Sequence, residues 1–291
     1  MVTREFDSTL NLKTDGSLSL FFVGCGSAFS KADFQTNLFI IKNDYHILVD
    51  CGTLCPFALE KRFNTGISAV KNLLLTHPHA DHIGGVEELA LNSLYVKKSP
   101  LNIVISDEFK KSLWKNSLQG GLKYSENGKL GFDDYFVQIK PTKILNKPFE
   151  IFQTNICDIN IKLFRTFHVT TKMNSLKKSQ YSVGLIIDDK ILYTSDMQFK
   201  PEVLNWILQN YDIQTIFHDC DVAGYAEGVH ASYKQLCTLP AEIKSKMFLC
   251  HYNSVSKKIN PTNDGFAGFA QSGIYYDFDW SRCDSNALPA A

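Results

Sequence analysis

The segment that most constrains this chain of 291 residues is a short apolar run that ends in a cluster of histidines and acids. Residues 72–76 read NLLLT, a run typical of a buried strand. The next six positions hold four potential metal ligands, which are His77, His79, Asp81 and His82. Imidazole nitrogens and carboxylate oxygens are ligands that a cation such as zinc prefers. Because side chains on a turn that leaves a strand can converge on one point, the segment predicts a metal site.

Other apolar runs predict strands and helices on both sides of this cluster. Strands are predicted at 17–24, 37–42, 46–50, 102–106, 149–153, 159–167, 181–187, 190–195, 215–219 and 247–252. Helices are predicted at 56–63, 86–94, 107–118 and 201–210. Strand-rich halves that each end in helices favour an α/β fold, with two packed sheets and helices outside. Residues 120–148 read as irregular and are interpreted as a functional loop or lid.

Composition narrows the class of protein further. Lys+Arg and Asp+Glu both number 30, so the formal net charge is zero, which argues against binding a long nucleic acid through overall charge. No apolar run approaches the roughly 18 residues of a membrane span, and the N-terminal segment is polar. The eight cysteines include no C-x-x-C pair and are interpreted as reduced thiols, mostly in the core. These features predict a cytoplasmic protein that does not bind membranes.

The segment T-H-P-H-A-D-H-I-G-G at 76–85 resembles the H-x-H-x-D-H signature of the metallo-β-lactamase superfamily. This resemblance covers most of the chain and implies one αββα sandwich domain over residues 1–291, with two metal ions at one edge. It assigns His77, His79, His168 and Asp196 to one metal. It assigns Asp81, His82, Asp196 and His251 to the other. The implied ions are two Zn²⁺ per chain, with Mn²⁺ as an alternative.

An aspartate that bridges the two metals, here Asp196 in T-S-D, also narrows the reaction. In the resembling superfamily it is typical of hydrolases that cleave phosphodiesters, lactones and thioesters. Its neighbours Ser195 and Met197 are not ligands, so a cysteine-type site cannot form at this strand end. Hydrolysis of β-lactams is therefore not expected.

A second cluster, F-H-D-C-D-V-A-G-Y-A-E-G-V-H-A-S-Y at 217–233, resembles the paired motifs of transfer-RNA 3′-processing ribonucleases (tRNase Z). The resemblance implies that Asp219 orients His230, which protonates the leaving oxygen. An alkoxide is a poor leaving group, so such a reaction benefits from a positioned acid. That ribonuclease family has Glu where this chain has Asp219. We expect the catalytic residues to be His230, Asp219 and Asp81, and His218 to lie in the core.

Several short segments together resemble the anti-Pycsar family of phage and bacterial proteins. They are G-C-G-S-A-F-S at 24–30, Q-T-N at 35–37, S-L-Q-G-G-L at 117–122, F-D-D-Y-F at 132–136, F-H-D-C at 217–220 and G-V-H-A-S-Y at 228–233. The resemblance implies a homodimeric zinc phosphodiesterase that opens cyclic mononucleotides, notably cyclic CMP and cyclic UMP, and antagonises antiphage defence. Residues 120–148 would then form a lid or dimer insert. Tyr124, Phe132 and Tyr135 are candidates for stacking on the base, or for the core.

Three alternatives remain open from the sequence. A tRNase Z-like endonuclease needs an extended basic arm to hold folded RNA, and no Gly/Pro-rich arm with interleaved lysines is evident. A lactonase or thioesterase on the same scaffold would not need the Asp219–His230 pair. A catalytically silent protein that only sequesters cyclic nucleotides would not need a complete set of metal ligands.

Overall fold

A computed structural model describes residues 1–126, 128–171, 176, 179–226, 228–253 and 259–280 of the chain. Its strands in the first half are β1 Val2–Glu5, β2 Leu18–Gly24, β3 Asn37–Lys42, β4 Tyr45–Val49, β5 Asn72–Leu74, β6 Leu101–Val104, β7 Tyr124–Ser125, β8 Gly128–Lys129 and β9 Phe136–Ile139. Those in the second half are β10 Thr142–Leu145, β11 Ile151–Ile156, β12 Ile159–Arg165, β13 Val183–Ile187, β14 Ile191–Tyr193, β15 Thr215–Asp219, β16 Met247–Cys250, β17 Gly268–Phe269 and β18 Ile274–Phe278.

The helices are mostly short and lie between the strands. They are α1 Cys55–Phe63, α2 Ala80–Ile83, α3 Val86–Asn92, α4 Asp107–Leu113, α5 Gln119–Leu122, α6 Phe132–Tyr135, α7 Pro201–Asn210, α8 Tyr233–Leu236 and α9 Ala241–Lys244. Wider π-type turns extend α3 over Ser93–Lys97 and α4 over Trp114–Leu118. Ser106 caps α4, because its side chain accepts a hydrogen bond from the Phe109 amide. In the described part of the chain, no helix is both long and apolar enough to cross a membrane.

The strands form two eight-stranded sheets and one small two-stranded ribbon, β7–β8. The first sheet has the order β1-β18-β2-β3-β4-β5-β6-β9, and the second has the order β10-β11-β12-β13-β14-β15-β16-β17. Pairing is parallel from β4 to β9 and from β14 to β17, and antiparallel elsewhere. Each sheet therefore has several strands whose carboxyl ends point to the same edge.

Alternation along the strands places one apolar set between the sheets and another under the helices. In β2, Leu20 and Phe22 pack toward the second sheet, while Phe21 and Val23 pack with residues of α1, α3 and α4. On the far side, Leu204 of α7 packs against the outer face of the second sheet. Strands buried on both faces explain the nearly continuous apolar runs of the sequence. The result is an αββα sandwich, which confirms the predicted fold class.

The expected irregular segment 120–148 contains more regular structure than its composition indicates. β9 and β10 lie in this segment, and each forms the edge of a different sheet. Edge strands are half exposed and tolerate polar residues, so their apolar pattern is weak. For the same reason the exposed strand β1, at the opposite edge of the first sheet, was not predicted. The role of this segment as a lid or dimer insert stays a prediction.

Candidate metal centre

The predicted ligands and the predicted catalytic residue Asp219 meet at one edge of the sandwich, at the carboxyl ends of five strands. The cluster at 77–82 follows β5, His168 follows β12, and Asp196 follows β14. Asp219 ends β15 and His251 follows β16. Carboxyl ends of parallel strands lie at the same edge of a sheet, and the packing of the two sheets brings both edges together.

The first group of ligand atoms lies around one oxygen of Asp196. Nε2 of His77 is 3.5 Å and Nε2 of His168 is 3.6 Å from Asp196 Oδ2. Nδ1 of His79 lies 3.0 Å from Nε2 of His77 and 3.1 Å from Nε2 of His168. These four residues offer ligand atoms that all lie within 4.8 Å of one another.

The second group lies around the other oxygen of the same carboxylate. Nε2 of His82 and Nε2 of His251 are 3.4 Å and 3.5 Å from Asp196 Oδ1. Asp81 Oδ2 is 3.4 Å from His82 Nε2 and 3.2 Å from His251 Nε2. Asp196 thus turns one oxygen toward each group, which is the arrangement that a bridging ligand requires.

The donor atoms fit a pair of divalent cations. A tetrahedral zinc ion with bonds of about 2.0–2.1 Å separates its ligand atoms by about 3.3–3.4 Å. The spacings in both groups lie around this value. Nε2 of His82 is also fully buried and has no hydrogen-bond partner, a costly state for a polar atom unless it binds a cation.

The protonation states of the two groups differ, and both favour cation binding. Burial lowers the pKa of His77 well below its ordinary value and that of His168 to about 4, so both imidazoles are neutral. Burial disfavours charge on His251 as well, but Asp196, Asp219 and Asp81 raise its pKa to about 10. A cation can replace that proton, because the three carboxylates supply the negative charge that both compete for.

Three strand-end residues adopt left-handed backbone conformations that only this environment explains. They are Asp50, Ser195 and His251, with φ of 63°, 49° and 58°. Non-glycine residues adopt this region at a cost, and they do so mostly where the surrounding structure requires it. The three residues directly follow or lie close to the ends of β4, β14 and β16, next to the residues of the two ligand groups.

Asp50, which directly follows β4, supports ligands of both groups, a role that was not predicted from the sequence. Its carboxylate is completely buried and Oδ2 accepts a 2.7 Å hydrogen bond from Nδ1 of His82. The same carboxylate accepts bonds from the amide (2.8 Å) and hydroxyl (2.7 Å) of Thr76, whose hydroxyl in turn lies 3.1 Å from Nδ1 of His77. An acid that ends the apolar run HILVD is the signal that could have predicted this role.

We expect Asp50→Asn to weaken zinc affinity by roughly 10- to 100-fold, the usual scale for a carboxylate that supports a metal-bound histidine. The amide keeps the volume but loses one acceptor, so His82 and Thr76 can no longer both be satisfied. Competition titration with a zinc chelator measures the change. Asp188→Asn is the matched control, because Asp188 also accepts a backbone hydrogen bond, from Asn160, but lies in the hairpin at the opposite end of the sheet. Unchanged affinity in Asp50→Asn would contradict the role.

The predicted acid and its partner lie next to the bridging carboxylate. Nδ1 of His230 donates a 2.7 Å hydrogen bond to Asp219 Oδ2 and lies 4.0 Å from Asp196 Oδ2. Burial opposes charge on His230, but Asp219 outweighs it and raises the pKa of the imidazole. About 16% of the side chain is exposed. His218, expected in the core, is buried and its Nδ1 donates to the Asp219 carbonyl.

Asp219 has a second contact that the sequence did not indicate. Its Oδ1 lies 3.4 Å from Nδ1 of His251, while Oδ2 also accepts a 3.0 Å hydrogen bond from the Met197 amide. One buried carboxylate therefore contacts the predicted acid, a metal-ligand histidine and the residue after Asp196. Such contacts fix the ring orientation of a ligand histidine.

The aromatic residues proposed for base stacking have different environments. Phe132 and Tyr135 are buried in the core under the helices, and the Tyr135 hydroxyl donates to the Leu122 carbonyl. They belong to the core, which is the second of the two roles considered for them. Tyr124 is 64% exposed.

Solved structures share this architecture. The metallo-β-lactamase fold protein YhfI from Bacillus subtilis aligns with a TM-score of 0.64 and 17% identity, over 90% of this chain and 99% of its own. The short form of human tRNase Z aligns with a TM-score of 0.59 and 15% identity, over 90% of this chain and 99% of its own. These likenesses show that the chain has the metallo-β-lactamase fold.

Sequence relatives identify the family. The family model for anti-Pycsar protein Apyc1 matches residues 18–276. A protein of that name from Bacillus phage BSP38 is 34% identical over 260 residues, which cover 87% of this chain and 96% of the relative. Another, from Paenibacillus sp. (strain J14), is 32% identical over 260 residues, with coverage of 89% and 99%. With the fold and the cluster of ligand residues, this match makes the chain a metal-dependent hydrolase, and it belongs to the anti-Pycsar protein Apyc1 family.

Proposed function

We propose that this chain is a zinc-dependent phosphodiesterase that hydrolyses 3′,5′-cyclic nucleotides, cyclic CMP and cyclic UMP foremost, to linear monophosphates. In a host cell it would antagonise a nucleotide-signalled antiphage defence. The family membership supports the biological role. The observation that carries the chemistry is the hydrogen-bonded His230–Asp219 pair beside a carboxylate that faces two groups of ligands.

This pair supplies what phosphodiester cleavage needs beyond the metals. Since Nδ1 of His230 is held by Asp219, the proton that can be transferred is on Nε2. The raised pKa favours the protonated form of His230, which can protonate the departing ribose oxygen. Bound divalent metals would supply Lewis acidity and lower the pKa of water. A thioester releases a thiolate, which needs less help from an acid than an alkoxide does, and this difference favours a phosphodiester over a thioester substrate.

We assign two Zn²⁺ ions to the centre, with Mn²⁺ as the alternative. The first would bind His77, His79, His168 and Asp196, and the second Asp81, His82, Asp196 and His251. Asp81 is included in the catalytic set because its carboxylate lies between two histidines of the second group. By resemblance to the family we also propose a homodimer that acts in the cytoplasm, with residues 120–148 as lid or dimer insert.

The tRNase Z-like alternative is supported by the shared fold and by the same acid pair. It differs in its demand on the rest of the protein, because a folded RNA needs many phosphate contacts. A chain of zero formal net charge without a basic arm does not obviously supply them. A small cyclic nucleotide carries one phosphate, which the metal centre alone can neutralise.

We therefore expect turnover of cyclic CMP and cyclic UMP to exceed cleavage of a transfer-RNA precursor by a wide margin. Purified protein is incubated in zinc-supplemented buffer with each substrate, and the products are resolved by chromatography. Bis-p-nitrophenyl phosphate serves as a control that reports an intact metal centre whichever natural substrate is preferred. Binding of cyclic CMP should depend only weakly on salt, because few counterions are released.

Two results would contradict this proposal. Efficient trimming of the transfer-RNA precursor without any linear monophosphate would assign the chain to the ribonuclease activity. Tight binding of cyclic CMP without turnover, in protein that still cleaves bis-p-nitrophenyl phosphate, would make it a protein that sequesters the nucleotide.

A further inference from the structure

We propose that Asp221 is a positioning residue that holds the loop carrying His230 in its working conformation. The inference rests on the proposed role of His230 as the acid. Asp221 follows β15 by two residues, is only 5% exposed, and contributes no atom to either group of ligands.

The carboxylate of Asp221 accepts three hydrogen bonds from the loop that follows it. Oδ1 accepts from the amides of Ala223 (3.1 Å) and Gly224 (3.0 Å), and Oδ2 accepts from the amide of Ala226 (2.7 Å). Hydrogen bonds from amides to an ionised carboxylate are about twice as strong as neutral ones. Gly224 has a φ of 72°, which lies in the left-handed region that glycine adopts at no steric cost. Asp221 therefore determines the path of residues 223–226.

The loop contacts two histidines of the site, which are His230 and the predicted ligand His168. The Ala226 carbonyl accepts the amide of His230 (3.1 Å), so the acid depends on the position of Ala226. The Val229 carbonyl accepts Nδ1 of His168 (3.0 Å), a residue of the first ligand group. The chain of contacts runs from the carboxylate through the amide and carbonyl of Ala226 to the acid.

The base of the loop is held separately, by backbone alone. The Asp221 amide donates to the Ala231 carbonyl (2.8 Å), and the Ala231 amide donates to the Met197 carbonyl (3.0 Å). These bonds survive any change of the Asp221 side chain. Substitution should therefore loosen residues 223–226 without detaching the loop from the sheet, and so change the position of His230 more than the fold.

The test compares Asp221→Ala and Asp221→Asn in the zinc-loaded protein. We expect Asp221→Ala to lower kcat for cyclic CMP by about 10- to 100-fold, the scale of a catalytic group displaced by about 1 Å, with zinc content unchanged. Asp221→Asn keeps the volume but only one of the two accepting oxygens, so it should recover part of that loss. If the alanine variant fails to fold, the kcat of Asp221→Asn still tests whether the carboxylate positions His230. Asp188→Ala and Asp188→Asn are the matched controls, because Asp188 also accepts a backbone amide, from Asn160, but lies in the hairpin at the opposite end of the sheet.

A double variant separates positioning from a general structural role. If Asp221 acts through His230, Asp221→Ala should lower kcat by less than about threefold once His230→Ala is present, because coupled residues are not additive. It should also have little effect on bis-p-nitrophenyl phosphate, whose leaving group needs no proton. Losses that multiply in the double variant, or equal losses on both substrates, would overturn the proposal.

Failure of the proposed function gives a different result. If the unmodified protein cleaves bis-p-nitrophenyl phosphate but no cyclic nucleotide, the substrate assignment is wrong. The same set of variants then applies to a transfer-RNA precursor, which also has a ribose leaving group. Hydrogen exchange offers an independent readout, since the amides of Ala223, Gly224 and Ala226 should exchange faster in Asp221→Ala. Unchanged exchange would show that the carboxylate does not hold the loop.

Discussion

Replacement of Asp196 with alanine should abolish metal binding and activity together. This carboxylate is 2% exposed and presents one oxygen to each group of ligands, so its loss removes a ligand from both. Without the metals, the pKa of the attacking water is no longer lowered to about 7, and turnover should fall to background. Elemental analysis of the purified variant, together with the cyclic CMP assay, measures both effects.

Asp196→Asn distinguishes a lost bridge from a lost fold. The amide keeps the buried volume and one carbonyl oxygen, so we expect about one metal per chain and a folded circular dichroism spectrum. Retention of two metals in either variant would show that Asp196 is not the bridge.

His230→Ala should have the second largest effect, a loss of roughly 10² to 10⁴ in turnover of cyclic CMP with both metals retained. His230 is not one of the predicted ligands: its Nδ1 donates to Asp219 and lies 4.0 Å from Asp196, and its ring packs against those of His168 and His251. Its removal therefore leaves every predicted ligand in the chain. The loss should be much smaller for bis-p-nitrophenyl phosphate, because nitrophenolate leaves without a proton. Equal losses on both substrates would make His230 a binding or structural residue.

The pH profile gives a further readout on the same variant. An acid must be protonated to act, so turnover of cyclic CMP should fall as pH rises through the pKa of His230. Since Asp219 raises that pKa, the decrease should lie on the alkaline side of the ordinary histidine value. In His230→Ala this decrease should be absent.

The sequence predicted most of the strands that lie in the middle of the sheets and the ligands at their ends, but it missed β18, which pairs with β2 inside the first sheet. Burial on both faces gives such strands long apolar runs, and the ligands interrupt those runs with histidine and aspartate. This pattern is visible in NLLLT before His77 and in ILYTS before Asp196. The edge strands β1, β9 and β10 were missed because a half-exposed strand has no comparable pattern.

The supporting carboxylates depended on the tertiary structure. Asp50 lies 26 positions before Thr76 and 32 before His82, and only the parallel pairing of β4 with β5 brings these residues into contact. The turn after β15 folds the Asp221 carboxylate onto amides whose own residues are unremarkable in the sequence. A ligand can be recognised from its residue type and spacing, because the metal restricts both. A residue that orients a ligand through a hydrogen bond can come from any segment that the fold brings within about 3 Å, so its role is decided by the packing of the strands.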